Sequence, residues 1–357
     1  MRLTSSPLVF IGLLMFGWVQ GGFADASLEG SLTDSGLDQA IRGGTFQQIT
    51  SVLVAANGEV LYEQYWDTGG PERLNDTRSA TKSLTAIAVG AAITDGRIEN
   101  VDVSAFDFFE QERPHRSSSR QKDSITIKDL LTMSSSLDCD DNNSESPGNE
   151  GRMYPERKWL DFVLDMPTVE SYQRNEKGYG PFHYCTAGSF FLGQIVERAT
   201  GESVDTYTER RILKPLGIDR ISWDRSPSGE VQTGGGAELT SRALLALGEL
   251  VRNDGNLGGH EILSQEWVDE MLFPHVAANE EQDYGYQWWR RDFACGETTI
   301  SGWYMAGNGG NKVVVVDELG LTIVITATLY NTNGMHQQST DIIEKYVLPQ
   351  APKCSGI

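Results

Sequence analysis

The stretch "NDTRSATKSLTAIAVGAAITDG", residues 75–96, decides how this chain is read. Ser79 stands three positions before Lys82, and an apolar run at helical spacing (Leu84, Ile87, Val89, Ala91, Ala92, Ile93) continues to Gly96. The pattern puts Ser79 at or near a helix N-cap, where backbone N–H groups favour developing negative charge. Lys82, at i+3, falls on the same helix face. A helix this apolar belongs in a core, so its first-turn lysine is desolvated. Desolvation favours the neutral amine, which can take a proton from a serine hydroxyl. The alternative for the same residues is a capping serine and an exposed lysine. Ser-x-x-Lys alone does not decide, because it recurs at Ser119/Lys122 within "RPHRSSSRQKDS", a charged run that reads as a solvated loop.

Outward from this helix the pattern changes twice. Upstream, "ITSVLVAANGEVLYEQYW" (49–66) is two β-rich runs around Asn57-Gly58, a hairpin signal. Downstream, "ITIKDLLTMSS", "PERKWLDFVLDM", "GSFFLGQIVERATG", "SVDTYTERRILKPLG", "SRALLALGELVRN" and "SQEWVDEML" carry helical periodicity. The segment 135–153 is polar and breaker-rich, hence a loop. Strands return in "NKVVVVDELGLTIVITATLY" (311–330), and "STDIIEKYVL" closes the chain as a helix. The alternating signature of a parallel sheet is absent. The expected fold is α/β of the α+β type. An antiparallel sheet formed from both chain ends is flanked by helices and carries an inserted all-helical lobe. The boundaries are an α/β lobe over 27–110 and 226–357 and a helical lobe over 111–225, with the site between them.

The N-terminus has one arginine, an apolar run from Pro7 to Val19, and Ala24-Asp25-Ala26, which fits a cleavage site. Residues 1–26 therefore read as a secretory signal peptide, and the protein as exported, periplasmic or extracellular, with no stable membrane insertion after cleavage. A formal net charge of −21 argues against nucleic acid and anionic membranes as partners. Four cysteines (Cys139, Cys185, Cys295, Cys354) permit three pairings, and disulfides suit an exported chain. Their spacings are not those of a zinc site, so no metal is expected.

A serine nucleophile also needs a second proton-handling group and oxyanion donors. "PFHYCTAGSFFLGQIVERATG" (181–201) offers Tyr184 before an amphipathic helix, and "MAGNGGNKVVVV" (305–316) offers Gly309-Gly310 opening a strand. Alone, the tyrosine reads as core and the glycines as a tight turn. Glycines there also let a substrate lie against a strand edge. In this order and spacing, the chain resembles the serine β-lactamase and penicillin-binding superfamily, specifically the class C β-lactamase-related hydrolases and esterases. The carrying stretches are "SVLVAANGEVLYEQY", "SATKSLTAIAVG", "ITIKDLLTMSSSLD", "YCTAGSFFLGQIVERATG", "ILKPLGI", "YGYQWW" and "GNGGNKVVVV", from Ile49 to Leu348.

The resemblance implies that Ser79 attacks a carbonyl and forms an acyl-enzyme, and that Lys82 and Tyr184 share the proton work. The amides of Ser79 and Asn311 would form the oxyanion hole, and "TGGGAELTSRAL" (233–244) would border the site. Substrate would be held by Thr186, Asn308, Gly309, Gly310 and Asn311. No cofactor is implied. Two motifs depart from relatives. Tyr184-Cys185-Thr186 replaces Tyr-x-Asn and lacks the amide that anchors a substrate carbonyl and the lysine. Asn308-Gly309-Gly310 replaces Lys-Thr-Gly and lacks its charge, a role open to Lys312, Arg290 or Arg291. The substrate is therefore expected to be a small ester, amide or lactam, with an esterase or amidohydrolase favoured. The alternatives are a true β-lactamase or D-peptide hydrolase, a Ser-His-Asp hydrolase using His183, and a non-catalytic binding protein on the same scaffold. Trp288, Trp289, Trp303 and Tyr304 are candidates for an apolar pocket. Cys139 is expected to bond Cys185 and tie the polar loop over the cleft, leaving Cys295 to Cys354.

Overall fold

The computed structural model describes residues 30–112 and 115–355; the leader expected at 1–26 lies outside them. Its centre is an eight-stranded antiparallel sheet. The strands are β1 (Ile49–Ala56), β2 (Glu59–Tyr65), β3 (Val276–Ala277), β4 (Asp283–Tyr284), β5 (Trp289–Cys295), β6 (Thr298–Gly307), β7 (Asn311–Val316) and β8 (Leu321–Ala327). They lie in the order β2-β1-β8-β7-β6-β5-β4-β3, so the two ends of the chain meet at the β1–β8 pair.

Three central strands, β1, β7 and β8, are buried at every residue. Their continuous Val, Ile and Leu runs fit this, since both faces are covered. Leu53, Val313, Val315 and Val324 point into one core, and Val52, Val54, Val314, Ile323 and Ile325 into another. On the first face lie α2 (Thr81–Thr94) and α4 (Ser241–Arg252), with α3 (Thr186–Thr200) packed on α2 in the same core. On the second lie α1 (Leu37–Arg42) and the C-terminal helix α5 (Met335–Ile342). Asn57 and Gly58 both adopt positive φ (50° and 88°), the turn geometry that matches strand twist in a two-residue hairpin.

The β5–β6 hairpin had no clear sequence signal: "RRDFACGETTISGW" is charged and irregular. Its asymmetry positions the site. β5 pairs with β6 only as far as Tyr304, opposite Trp289, so the end of β6 presents a free edge beyond it. Cys139 bonds Cys185 and Cys295 bonds Cys354, as expected. Among the described residues no helix is long and apolar enough to cross a membrane, and no cluster of metal-ligating side chains is present.

Candidate active site

Helix α2 starts later than the sequence pattern implies. Its N-cap is Ala80, and Ser79 sits one step earlier, in a single 3₁₀ turn over Arg78–Ala80. Ser79 is therefore not a capping serine, and its hydroxyl is free for other contacts. The chain enters the turn through Arg78, at φ 50°, a conformation that strains a non-glycine residue. An ion pair to Asp76 (2.8 Å) and packing over the Tyr330 ring (4.6 Å) hold Arg78 there.

Lys82 follows in the first turn of α2 and is 1% exposed. Its Nζ donates to Ser79 Oγ at 3.2 Å, to Thr186 Oγ1 at 2.9 Å and, by a short contact, to the Gly234 carbonyl. Three acceptors match the three protons of an ammonium. Gly234 occupies its place because a side chain there would collide with Thr186, whose Cγ2 would lie 2.8 Å from the added carbon. Thr186, expected to leave the lysine unanchored, instead anchors it through a hydroxyl. It is buried behind Lys82 and does not line the cavity, and its hydroxyl holds the lysine.

Tyr184 completes the group. The Lys82 Nζ lies 4.9 Å from its ring centroid, and the ring stacks on Trp289 at 5.9 Å. The Cys139–Cys185 bond brings the polar loop under this tyrosine. There the Asp141 amide donates to the Tyr184 carbonyl at 2.8 Å. Asp141 Oδ2 accepts from the Thr186 amide at 2.6 Å, at the start of α3. Burial raises the Asp141 pKa, and the Lys82 charge opposes that rise. Asp141 was missed by the sequence reading, whereas Gly234 lies in the 233–244 stretch expected to border the site. One hint existed, since Cys139 stands two residues before Asp141 and Cys185 directly follows Tyr184.

A cavity of about 670 Å³ opens over Ser79. Tyr184, His183, Asp140, Asp141, Trp289, Tyr304 and Asn308 line it, and Lys312, Arg291 and His336 line it farther on. Trp288 is core, fully buried. Gly309, Gly310 and Asn311 do not line the cavity. The two glycines turn the chain at φ 94° and 97°, and what they admit is Tyr330 and the Met335 carbonyl rather than a substrate. Asn311 is 2% exposed, its amide spent on the Asp76 and Asn308 carbonyls (3.3 and 3.0 Å) and on the Ala327 amide. The Asn308 side chain is also committed, exchanging two 2.8 Å hydrogen bonds with Asn331. Its backbone N–H, like that of Ser79, has no acceptor among the described residues. β6 approaches the Ser79 turn closely: a side chain on Gly307 would lie 2.0 Å from the Thr77 carbonyl.

His183 faces Asp140 at 3.6 Å, and the Ser79 hydroxyl is engaged by Lys82 instead. Arg290 is taken up by Asp283 at 2.9 Å.

A family model described as Beta-lactamase matches residues 37–347. The 6-aminohexanoate-dimer hydrolase of Paenarthrobacter ureafaciens is 27% identical over 259 residues, 66% of this chain. The chain spans only 63% of that relative's length. Two solved structures share the fold. The putative 6-aminohexanoate-dimer hydrolase from Bacillus anthracis has a TM-score of 0.70 and 17% identity, covering 88% of this chain and 83% of its own. EstCE1, a hydrolase with promiscuous acyltransferase activity, has a TM-score of 0.66 and 15% identity, covering 91% of this chain and 99% of its own.

Proposed function

Because the chain belongs to the Beta-lactamase family, we propose that it is a serine hydrolase that cleaves a small ester or amide through an acyl-enzyme on Ser79. The observation that carries this is the Lys82–Ser79 contact at 3.2 Å, at the mouth of a cavity that Tyr184 also lines. Attack begins when the serine proton passes to the Lys82 amine. The Thr186 hydroxyl and Gly234 carbonyl keep that amine aimed at Ser79. The amides of Ser79 and Asn308 supply the oxyanion donors. Asn308 replaces Asn311 in this role because it faces the cavity with its N–H uncommitted. Tyr184, against the lysine, gives its proton to the leaving group and recovers one from Lys82, so both groups end as they began. Water then releases the acyl group by the same steps in reverse. The relative named as a 6-aminohexanoate-dimer hydrolase supports an amide among the substrates. The two disulfides and the N-terminal segment support export.

The test follows a chromogenic short-chain ester, a linear amide and a chromogenic cephalosporin, with intact mass, for wild type and Ser79→Ala. The expected result is turnover of ester or amide with an acyl adduct that Ser79→Ala abolishes. Equal activity of Ser79→Ala and wild type overturns the reading. Failure of all three substrates, with no adduct, supports the binding-protein alternative. His183→Gln with near-normal turnover removes the Ser-His-Asp alternative.

A further inference from the structure

The cavity does not stop at the nucleophile. β6 alternates its side chains, so Met305 faces the α2 core while Tyr304 and Ala306 face the side of the sheet that carries α5. Lys312 of β7 stands directly opposite Ala306 in register. The lining therefore passes the free end of β6 and continues on the opposite face of the sheet. There it ends among Tyr304, Arg291, Lys312, His336, Gln337 and Thr340.

This far end is basic and unneutralised. Lys312 is 4% exposed, yet no hydrogen bond or ion pair to it is found among the described residues; its Nζ lies over the Tyr304 ring at 4.6 Å. The other two deeply buried lysines are satisfied: Lys82 by three acceptors, and Lys122 by the carbonyls of Leu164 and Met166. A buried ammonium without an acceptor is costly. Arg291, of β5, lines the same end. Among the described residues its only hydrogen bond is one of 3.3 Å to the Asp292 carbonyl, and no ion pair to it is found. His336 Nδ1 is buried there without a partner. The chain has 50 acidic residues against 29 basic ones, and still, among the described residues, no carboxylate pairs with Lys312 or Arg291.

We propose that this compartment is a carboxylate-binding subsite, which seats the anionic end of a substrate whose scissile carbonyl lies at Ser79, with Lys312 as the main ligand and Arg291 assisting. The inference rests on the hydrolase reading above and narrows it: the substrate is an ester or amide with a carboxylate remote from the scissile bond. The site differs in place from the Lys-Thr-Gly motif of relatives, since Lys312 follows that stretch and faces the other side of the sheet. A carboxylate entering here supplies the acceptor that Lys312 lacks and forms a charge-assisted pair. Burial and the Arg291 charge hold the Lys312 pKa down to about 7. The titratable groups facing it are Arg291 from β5, Tyr304 from β6 and His336 from α5. The His336 pKa is lowered to about 4 by burial and by Lys312, so that ring stays neutral above this range. Carboxylate binding is therefore strongest between about pH 5.5 and 7, where the ligand is ionised and Lys312 charged, and it weakens as pH rises through 7.

Two ester pairs test this. Mono(4-nitrophenyl) adipate against 4-nitrophenyl hexanoate puts the carboxylate on the acyl side. 4-Carboxyphenyl hexanoate against phenyl hexanoate puts it on the leaving side. At least one carboxylated ester is expected to be preferred in kcat/KM. Lys312→Met should cut that preference about tenfold or more, chiefly through KM. Arg291→Gln should cut it less, and it carries the test if Lys312→Met does not fold. A second readout needs no turnover: adipate binding to Ser79→Ala, followed by tryptophan fluorescence across pH 5.5–8.5. Binding that weakens above pH 7 and disappears with Lys312→Met sustains the subsite even if the hydrolase reading fails. Ser79-dependent turnover with no preference for either carboxylated ester and no adipate binding overturns the subsite and leaves the hydrolase standing.

Discussion

The chain carries Ser-x-x-Lys twice, and the two copies diverge in what each serine does. Both lysines are 1% exposed. At Ser119/Lys122 the serine is a true N-cap: its hydroxyl accepts the Lys122 amide at 3.1 Å and starts the short helix Arg120–Asp123. The lysine side chain then crosses to the carbonyls of Leu164 (2.5 Å) and Met166 (2.6 Å), tying two segments together. This corrects the expectation of a solvated loop. At Ser79/Lys82 the helix begins one residue later, and the lysine reaches the hydroxyl that no amide claims. At the second copy the serine oxygen is held to the backbone and its lysine leads away to other carbonyls. Only at the first copy do the serine hydroxyl and the lysine amine meet.

The largest effect that could break this contrast is catalytic. Ser79→Ala should reduce kcat/KM by at least about 10³-fold with a thermal melt close to wild type; Lys82→Met should reduce it by about 10²–10⁴-fold and also lower stability, since the Gly234 carbonyl loses its donor. Ser119→Ala should leave kcat/KM unchanged, and steady-state kinetics on the four proteins decide it. Next is the clip. Replacing Cys139 and Cys185 by serine opens a 46-residue separation and should cost about 4 kcal/mol in denaturant unfolding. It should also lower kcat, because Asp141 and Tyr184 lose their common tether; the second pair has no such clip to lose.

Lys122→Met sharpens the comparison from the structural side. It should lower stability by about 1–3 kcal/mol near pH 7, by leaving two carbonyls without their donor, with kcat unchanged. Burial depresses the Lys122 pKa from 10.5 to about 8. Between these values the unfolded chain binds the extra proton, so wild-type stability relative to the variant should rise with pH from about 8 to 10.5. Melts across that window check the sign. The smallest effect is Ser119→Ala on stability, about 1 kcal/mol for a lost cap.

Much of the frame was legible because its signals are local. Asn57-Gly58, the valine run 313–316 and the periodicity of α3 each state their element within a few residues. Ser79, Lys82 and Tyr184 were legible as residues but not as geometry. The start of α2 turned on Arg78 taking a left-handed conformation, held by a local ion pair to Asp76 and by packing on Tyr330 from far along the chain. Gly309 and Gly310 misled because a glycine admits a neighbouring side chain as readily as a ligand, and here the neighbours are Tyr330 and Met335. The role of Thr186 was misjudged for a related reason: the sequence shows a missing amide, while only the fold shows a hydroxyl at the right distance.

The pairing of β1 with β8 has a consequence for the order in which the protein comes into being. Ile49 meets Ala327, and β1 completes its neighbours only when residues 321–327 exist. The serine and lysine are among the first residues of the fold to be synthesised, yet β6, which walls their cleft, arrives more than 200 residues later. A nascent chain thus carries the proposed nucleophile without a site around it. Such distant pairing folds slowly, so activity should appear only after the last strand is released, as one late event rather than a gradual gain.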